Sequence, residues 1–169
     1  AAALLQPGVV RVLTAADVPG ENQIGTILAD EPLLAADEVH HVGQTVAVVL
    51  ATSAAAARRA RRDVVVEIAA RPPVLDPREA AAQGHLLQPA RTFAIGDVEA
   101  AWVRCAHVVS GRVDSGAQEH FYLETQGALA VPLENGALRV HSATQSPTGV
   151  QKQIARVLGE PMHGIEVDV

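Results

Sequence analysis

The sequence predicts an α+β fold assembled from short strand and helix units. Three stretches carry that prediction. Residues 45–51 are apolar and mostly β-branched, Ser53 then offers an N-cap for a helix over 54–62, and residues 64–68 return to a strand pattern. Residues 126–131 and 137–141 flank Glu134-Asn135-Gly136, a hairpin turn signal. Residues 147–158 place Val150, Ile154, Val157 and Leu158 on one helical face, with Gly159 as the stop. Strand, helix and strand together imply one layer of helix on one of sheet.

The remaining elements follow in order. Residues 9–13 read as a strand, and Thr14 caps a short helical turn over 15–18 that Pro19-Gly20 breaks. Residues 20–38 carry little periodicity and read as a loop. The run 45–51 suits a strand buried on both faces. Arg71-Pro72-Pro73 ends the first unit, because proline cannot donate to a sheet. Asp76 caps a helical turn with Pro77 at its first position, and Gln83-Gly84 closes it, so a domain boundary is expected near Gly84. Asp97 caps a helix over 98–105 that sets Trp102 and Cys105 on one side. Residues 107–113 alternate as a strand does, and residues 166–169 begin another.

Composition narrows the function. With 169 residues, 49% apolar and 19% charged, the chain can bury one ordinary core or two small ones. The single cysteine, Cys105, excludes a disulfide framework and any iron-sulfur or multi-cysteine zinc site within the chain, fits a reducing cytosol, and reads as a buried structural thiol. A formal charge of -6 and 2% aromatic residues argue against nucleic acid. The one basic cluster, Arg58-Arg59-Ala60-Arg61-Arg62, falls in the second half of a helix, where cations complement the dipole, and reads as surface. The longest apolar stretch, 45–57, falls short of the roughly 20 residues of a membrane span. The N-terminus has no basic head or long apolar middle of a signal peptide, and it lacks a starting methionine, which reads as a cut. Seven histidines invite a metal hypothesis, but His40 and His41 are adjacent and no HExxH or Cys/His spacing occurs, so no metal site is expected. Nucleophile elbows and glycine-rich phosphate loops are absent too.

One segment is chemically dense. Gln118, Glu119, His120, Phe121, Tyr122, Leu123 and Glu124 gather two carboxylates, an imidazole, an amide and a phenol between two strand patterns. Such a run is expected to form a buried, internally satisfied hydrogen-bonded network that orders a strand junction. Glu119 and Glu124 could alternatively serve as a paired-carboxylate acid/base site.

Gly116-Ala117-Gln118-Glu119-His120-Phe121-Tyr122-Leu123-Glu124-Thr125 closely resembles the GGQEHFYLET signature of the xanthine dehydrogenase family, with Ala117 where a second glycine is common. Ser142-Ala143-Thr144-Gln145-Ser146-Pro147 resembles the family's SSTQxP-like segment, whose glutamine lies against the apical oxo group of a molybdenum centre. Pro7-Gly8-Val9-Val10, Leu13-Thr14-Ala15-Ala16-Asp17-Val18-Pro19, Glu38-Val39 and Val42-Gly43-Gln44 resemble its α/β hammerhead domain. The resemblance implies an N-terminally incomplete hammerhead domain over 1–84 and the beginning of a molybdenum-cofactor-binding domain over 85–169. It implies oxidative hydroxylation of hypoxanthine or xanthine to urate at a molybdenum-molybdopterin cofactor, with electrons passing through iron-sulfur clusters and FAD in a partner subunit or domain to NAD. It assigns Gln145 to cofactor contact, and Gln118, Glu119, His120, Phe121, Tyr122 and Glu124 to a scaffold beside the site. No catalytic residue and no metal ligand are carried over, since the family's general base and glycine-rich GGGFGGKE segment do not occur before Val169. The complete enzyme is expected to be a cytoplasmic oligomer of this chain's full subunit with its partner, and these residues alone to be inactive and free of molybdenum. The competing readings are another molybdenum hydroxylase, oxidising aldehydes or N-heterocycles, and a scaffold module without activity.

Overall fold

The computed structural model describes residues 2–123 and 126–169. It is α+β, with five strands, four α-helices and short 3-10 turns among the described residues. The chain divides into two compact units: Ala1–Val66 together with Tyr122–Val169, and Glu67–Phe121.

The first unit contains two small sheets. In one, β1 (Val9–Leu13) pairs antiparallel with β2 (Val48–Ala51), with an irregularity between Val9 and Arg11. Thr14 starts the turn after β1 as expected: its backbone N–H and its hydroxyl both donate to the Asp17 carboxylate, at 2.9 and 3.1 Å. That backbone bond, then the Arg11 guanidinium, holds the Asp17 carboxyl below its ordinary range. Helix α1 (Ala54–Ala60) begins where Ser53 Oγ accepts the Ala56 N–H at 3.2 Å. Ala56 and Ala60, one helical turn apart, are buried, and Arg58, Arg59, Arg61 and Arg62 are exposed.

The second sheet has the order β3-β4-β5. β3 (Ala128–Pro132) and β4 (Leu138–Ser142) form the expected antiparallel hairpin, and the left-handed Asn135 and Gly136 (φ 60° and 76°) turn the chain between them. Helix α4 (Pro147–Leu158) then crosses over, so that β5 (Ile165–Asp168) lies parallel to β4 with Val140 beside Val167. Val140, Ala155 and Ile165 are buried and make the core of this layer. The helix ends at Gly159, whose φ of 71° suits a residue without Cβ.

The second unit holds α2 (Pro77–Ala82) and α3 (Val98–Arg104), both started by the aspartates read from the sequence. Asp76 accepts the Arg78 N–H at 2.8 Å and Asp97 the Ala100 N–H at 2.9 Å. Asp114 binds Arg112 at 2.6 and 3.0 Å and meets Arg78 at 3.5 Å.

Five expectations are overturned. Residues 64–68 and 107–113 form no strand: a strand needs a hydrogen-bonding neighbour, and neither segment has one among the described residues. The strand at 45–51 shrinks to β2, because the Thr45 carbonyl instead accepts the Ala35 N–H at 2.8 Å. Nor is it buried on both faces, since Val48 and Leu50 are exposed; a two-stranded sheet with one helix beside it covers a single face. Cys105 is exposed rather than buried, its thiol donating to the Ala101 carbonyl at 3.4 Å on an open helix.

Candidate functional site

The parallel pair fixes where a ligand could gather. With β4 and β5 parallel and α4 as the crossover, the carboxyl ends of both strands and the amino end of α4 lie at the same end of the sheet, the place where open α/β layers bind ligands. Gln145 lies in the turn between β4 and α4.

That turn is built by its own backbone. Ala143 N–H donates to the Gly127 carbonyl at 3.1 Å, and Ser146 N–H donates to Thr144 Oγ1 at 3.0 Å. Pro147 fills the first helical position, where no N–H is needed. The Gln145 side chain is exposed and has no hydrogen-bond partner among the described residues, so its carboxamide can donate and accept outward.

Polar rungs cross from β4 to β5 beside it. Arg139 donates to Glu166 at 2.9 Å, and His141 Nδ1 lies 3.2 Å from Asp168. The hydrogen bond to Glu166 raises the Arg139 pKa above its ordinary value. Gln151 spans from α4 to the start of β5, donating to the carbonyls of Met162 (3.0 Å) and Ile165 (2.7 Å). An open recess lies between these elements, lined in part by Thr148, Gln151, His163 and Glu166.

The far end of α4 meets a loop that sequence reasoning left as featureless. Gly20 and Glu21 N–H donate to the carbonyls of Val157 (2.8 Å) and Arg156 (3.0 Å). The Arg156 guanidinium binds the Glu21 carboxylate, and Gln153 Nε2 donates to the Ile24 carbonyl at 2.9 Å. The one sequence signal was Pro19-Gly20, read there only as a helix breaker.

The dense polar segment does not behave as expected. Gln118, Glu119, His120, Phe121, Tyr122 and Leu123 are all exposed, Phe121 at 90% and Leu123 at 101%. Glu119 accepts the Phe121 N–H at 3.3 Å and Gln126 Nε2 reaches the Tyr122 hydroxyl at 3.4 Å, but no buried network forms among the described residues. Burial needs covering apolar surface, and the described residues supply none here. Glu124 lies outside the described residues, so its pairing with Glu119 has no geometry. His40 and His41 are exposed, and no group of three His, Cys, Asp or Glu residues is placed to hold a metal among the described residues. No helix among them is long and apolar enough to cross a membrane.

Comparison with known proteins gives this geometry its class. Residues 1–72 match the model of the aldehyde oxidase and xanthine dehydrogenase a/b hammerhead domain, and residues 80–169 match that of the molybdopterin cofactor-binding domain. The chain therefore belongs to the aldehyde oxidase and xanthine dehydrogenase family. Aldehyde oxidase 2 of Cavia porcellus is 37% identical over 171 residues, covering 100% of this chain and 12% of that protein. Xanthine dehydrogenase 2 of Arabidopsis thaliana is 39% identical over 165 residues, covering 95% of this chain and 12% of that protein. Among solved structures, the aldehyde oxidoreductase of Desulfovibrio gigas superposes with a TM-score of 0.83 at 27% identity, over 98% of this chain and 20% of that one. Quinoline 2-oxidoreductase of Pseudomonas putida 86 superposes with a TM-score of 0.76 at 30% identity, over 98% and 23%. The chain thus spans about an eighth of the curated relatives' length.

Proposed function

We propose that this chain is part of a xanthine dehydrogenase, a cytoplasmic enzyme of purine catabolism that hydroxylates hypoxanthine and xanthine to urate. The observation that carries the reading is the uncommitted Gln145 carboxamide, exposed on the turn where the ends of β4, β5 and α4 converge. An amide free to donate and accept fits a polar group held jointly with segments from elsewhere in the enzyme. When bound, a molybdenum-molybdopterin group supplies the oxygen transfer and takes up the electrons, which pass to iron-sulfur clusters and FAD in the partner subunit or domains and then to NAD. The residues of this chain orient and polarise. Gln145 would donate a hydrogen bond to the cofactor, and Gln118, Glu119, His120, Phe121, Tyr122 and Glu124 would form a scaffold beside it. The domain division near residue 84 belongs to the same reading, supported by the stop of α2 at Gln83 and by the changeover of family matches between residues 72 and 80.

In the complete enzyme, Gln145→Ala should lower kcat by about 10- to 1000-fold, the usual cost of one preorganised hydrogen bond to developing charge. Steady-state kinetics at normal molybdenum content decide it, and an unchanged rate would remove Gln145 from the site. A second reading, an aldehyde or N-heterocycle oxidising enzyme, is favoured by the aldehyde oxidase and quinoline 2-oxidoreductase relatives. Turnover of xanthine against a panel of aldehydes and quinolines separates the two. These 169 residues expressed alone in a cell that makes the cofactor should hold no stoichiometric molybdenum and reduce no NAD with xanthine. Metal and activity together would show that the whole site lies within them.

A further inference from the structure

We infer that the loop Gly20 to Gly25 is a positioning element that sets the Gln145 turn by gripping the opposite end of α4. The last carbonyls of a helix have no partner within it and must find one outside. Here the Gly159 and Glu160 N–H groups close back on the last turn, and the carbonyls of Arg156 and Val157 are taken by Glu21 and Gly20. A Cβ on Gly20 would collide with the Arg156 carbonyl and the Gly159 amide, so the backbone approach admits only glycine. Side chains add to the grip: Arg156 binds the Glu21 carboxylate and reaches the Gly25 carbonyl at 3.4 Å, and Gln153 donates to Ile24.

The loop is tied together by its own side chains. Asn22 pairs with the Leu34 backbone through both ends of its amide, at 2.7 and 2.9 Å, and Leu34 is buried. Gln23 Oε1 accepts the N–H groups of Gly25 (2.6 Å) and Glu31 (3.1 Å). Two amide side chains thus do the work of secondary structure in a segment without any. A helix of 12 residues is a stiff rod about 18 Å long. A loop from the hammerhead part of the sequence, fixed to one end of that rod, therefore sets where the other end presents Gln145. Gln151, tied to Met162 and Ile165, acts as the pivot between them.

The consequence for turnover rests on the role given to Gln145 above, whereas the mechanical coupling does not, and the experiment separates them. Amide hydrogen exchange in the complete enzyme compares wild type with Gly20→Ala and with the milder Arg156→Gln. Ala143, Ser146 and Val150 should exchange about tenfold faster in Gly20→Ala, and by a smaller factor in Arg156→Gln, with β1 and β2 unchanged. Faster exchange confined to residues 155–160 would overturn the proposal, leaving the loop as a simple helix stop. In the complete enzyme, Arg156→Gln should lower kcat with KM and molybdenum content unchanged, and Arg156→Lys should restore it. If Gln145→Ala proves silent while the exchange pattern appears, the cofactor reading falls and the coupling stands.

Discussion

The layer β3-β4-α4-β5 and the unit Glu67–Phe121 come from adjoining stretches of sequence and use the same local devices, yet they are built to different depths. The first buries Val140, Ala155 and Ile165 and ties its helix at Gln151 and again at its carboxyl end. The second has capped helices and an arginine–aspartate cluster, but not one buried residue. The difference teaches that caps start helices wherever they occur, while strands and cores form only where a second surface arrives.

The comparison breaks most visibly on deletion of buried volume. Ile165→Ala should cost roughly 2 to 5 kcal/mol, whereas Val109→Ala, at a residue 93% exposed, should stay within about 0.5 kcal/mol. Urea unfolding followed by far-ultraviolet circular dichroism measures both; comparable losses would mean the second unit has a core of its own. Caps give the next largest contrast. Ser53→Ala should lower global stability by about 1 kcal/mol, because α1 carries the buried Ala56 and Ala60. Asp97→Ala should reduce helicity at α3 without moving the urea midpoint, as α3 buries nothing.

What the sequence made legible follows the same line. Ser53, Asp76, Asp97, Asn135-Gly136 and Gly159 act within a few residues of themselves, so their effect could be read from neighbours alone. The strands expected at 64–68 and 107–113 depended on partners no local pattern supplies. Gly20 and Asn22 were opaque for the same reason: Gly20 answers to Val157, far along the chain, and Asn22 to Leu34 across a segment without periodicity. Of the site, Gln145 could be placed at a helix entry by Pro147 behind it, but the exposure of His120, Phe121 and Tyr122 depends on surface the described residues do not provide.

The smallest contrast is electrostatic. The Asp17 and Asp76 carboxyls are both held below the ordinary range, so each stabilises its own turn above its unfolded pKa, and that contribution is lost as pH falls through the depressed folded value. Their causes differ. Asp17 is held first by the Thr14 backbone N–H, Asp76 first by the exposed Arg78 guanidinium. At about 1 M salt, where screening acts over ~3 Å, the Asp76 titration should move back towards the ordinary range more than that of Asp17. Carboxyl NMR titrations test this, and equal shifts would contradict it.

Trp102, the chain's only tryptophan, and Cys105, its only thiol, lie three residues apart at the carboxyl end of α3 in the sparsely packed unit. Indole fluorescence and maleimide labelling therefore both report on that one short helix. A dye on Cys105 would record its fraying while the layer around Ile165 remained silent, so a flat emission curve on warming says nothing about whether the Gln145 turn is still in place.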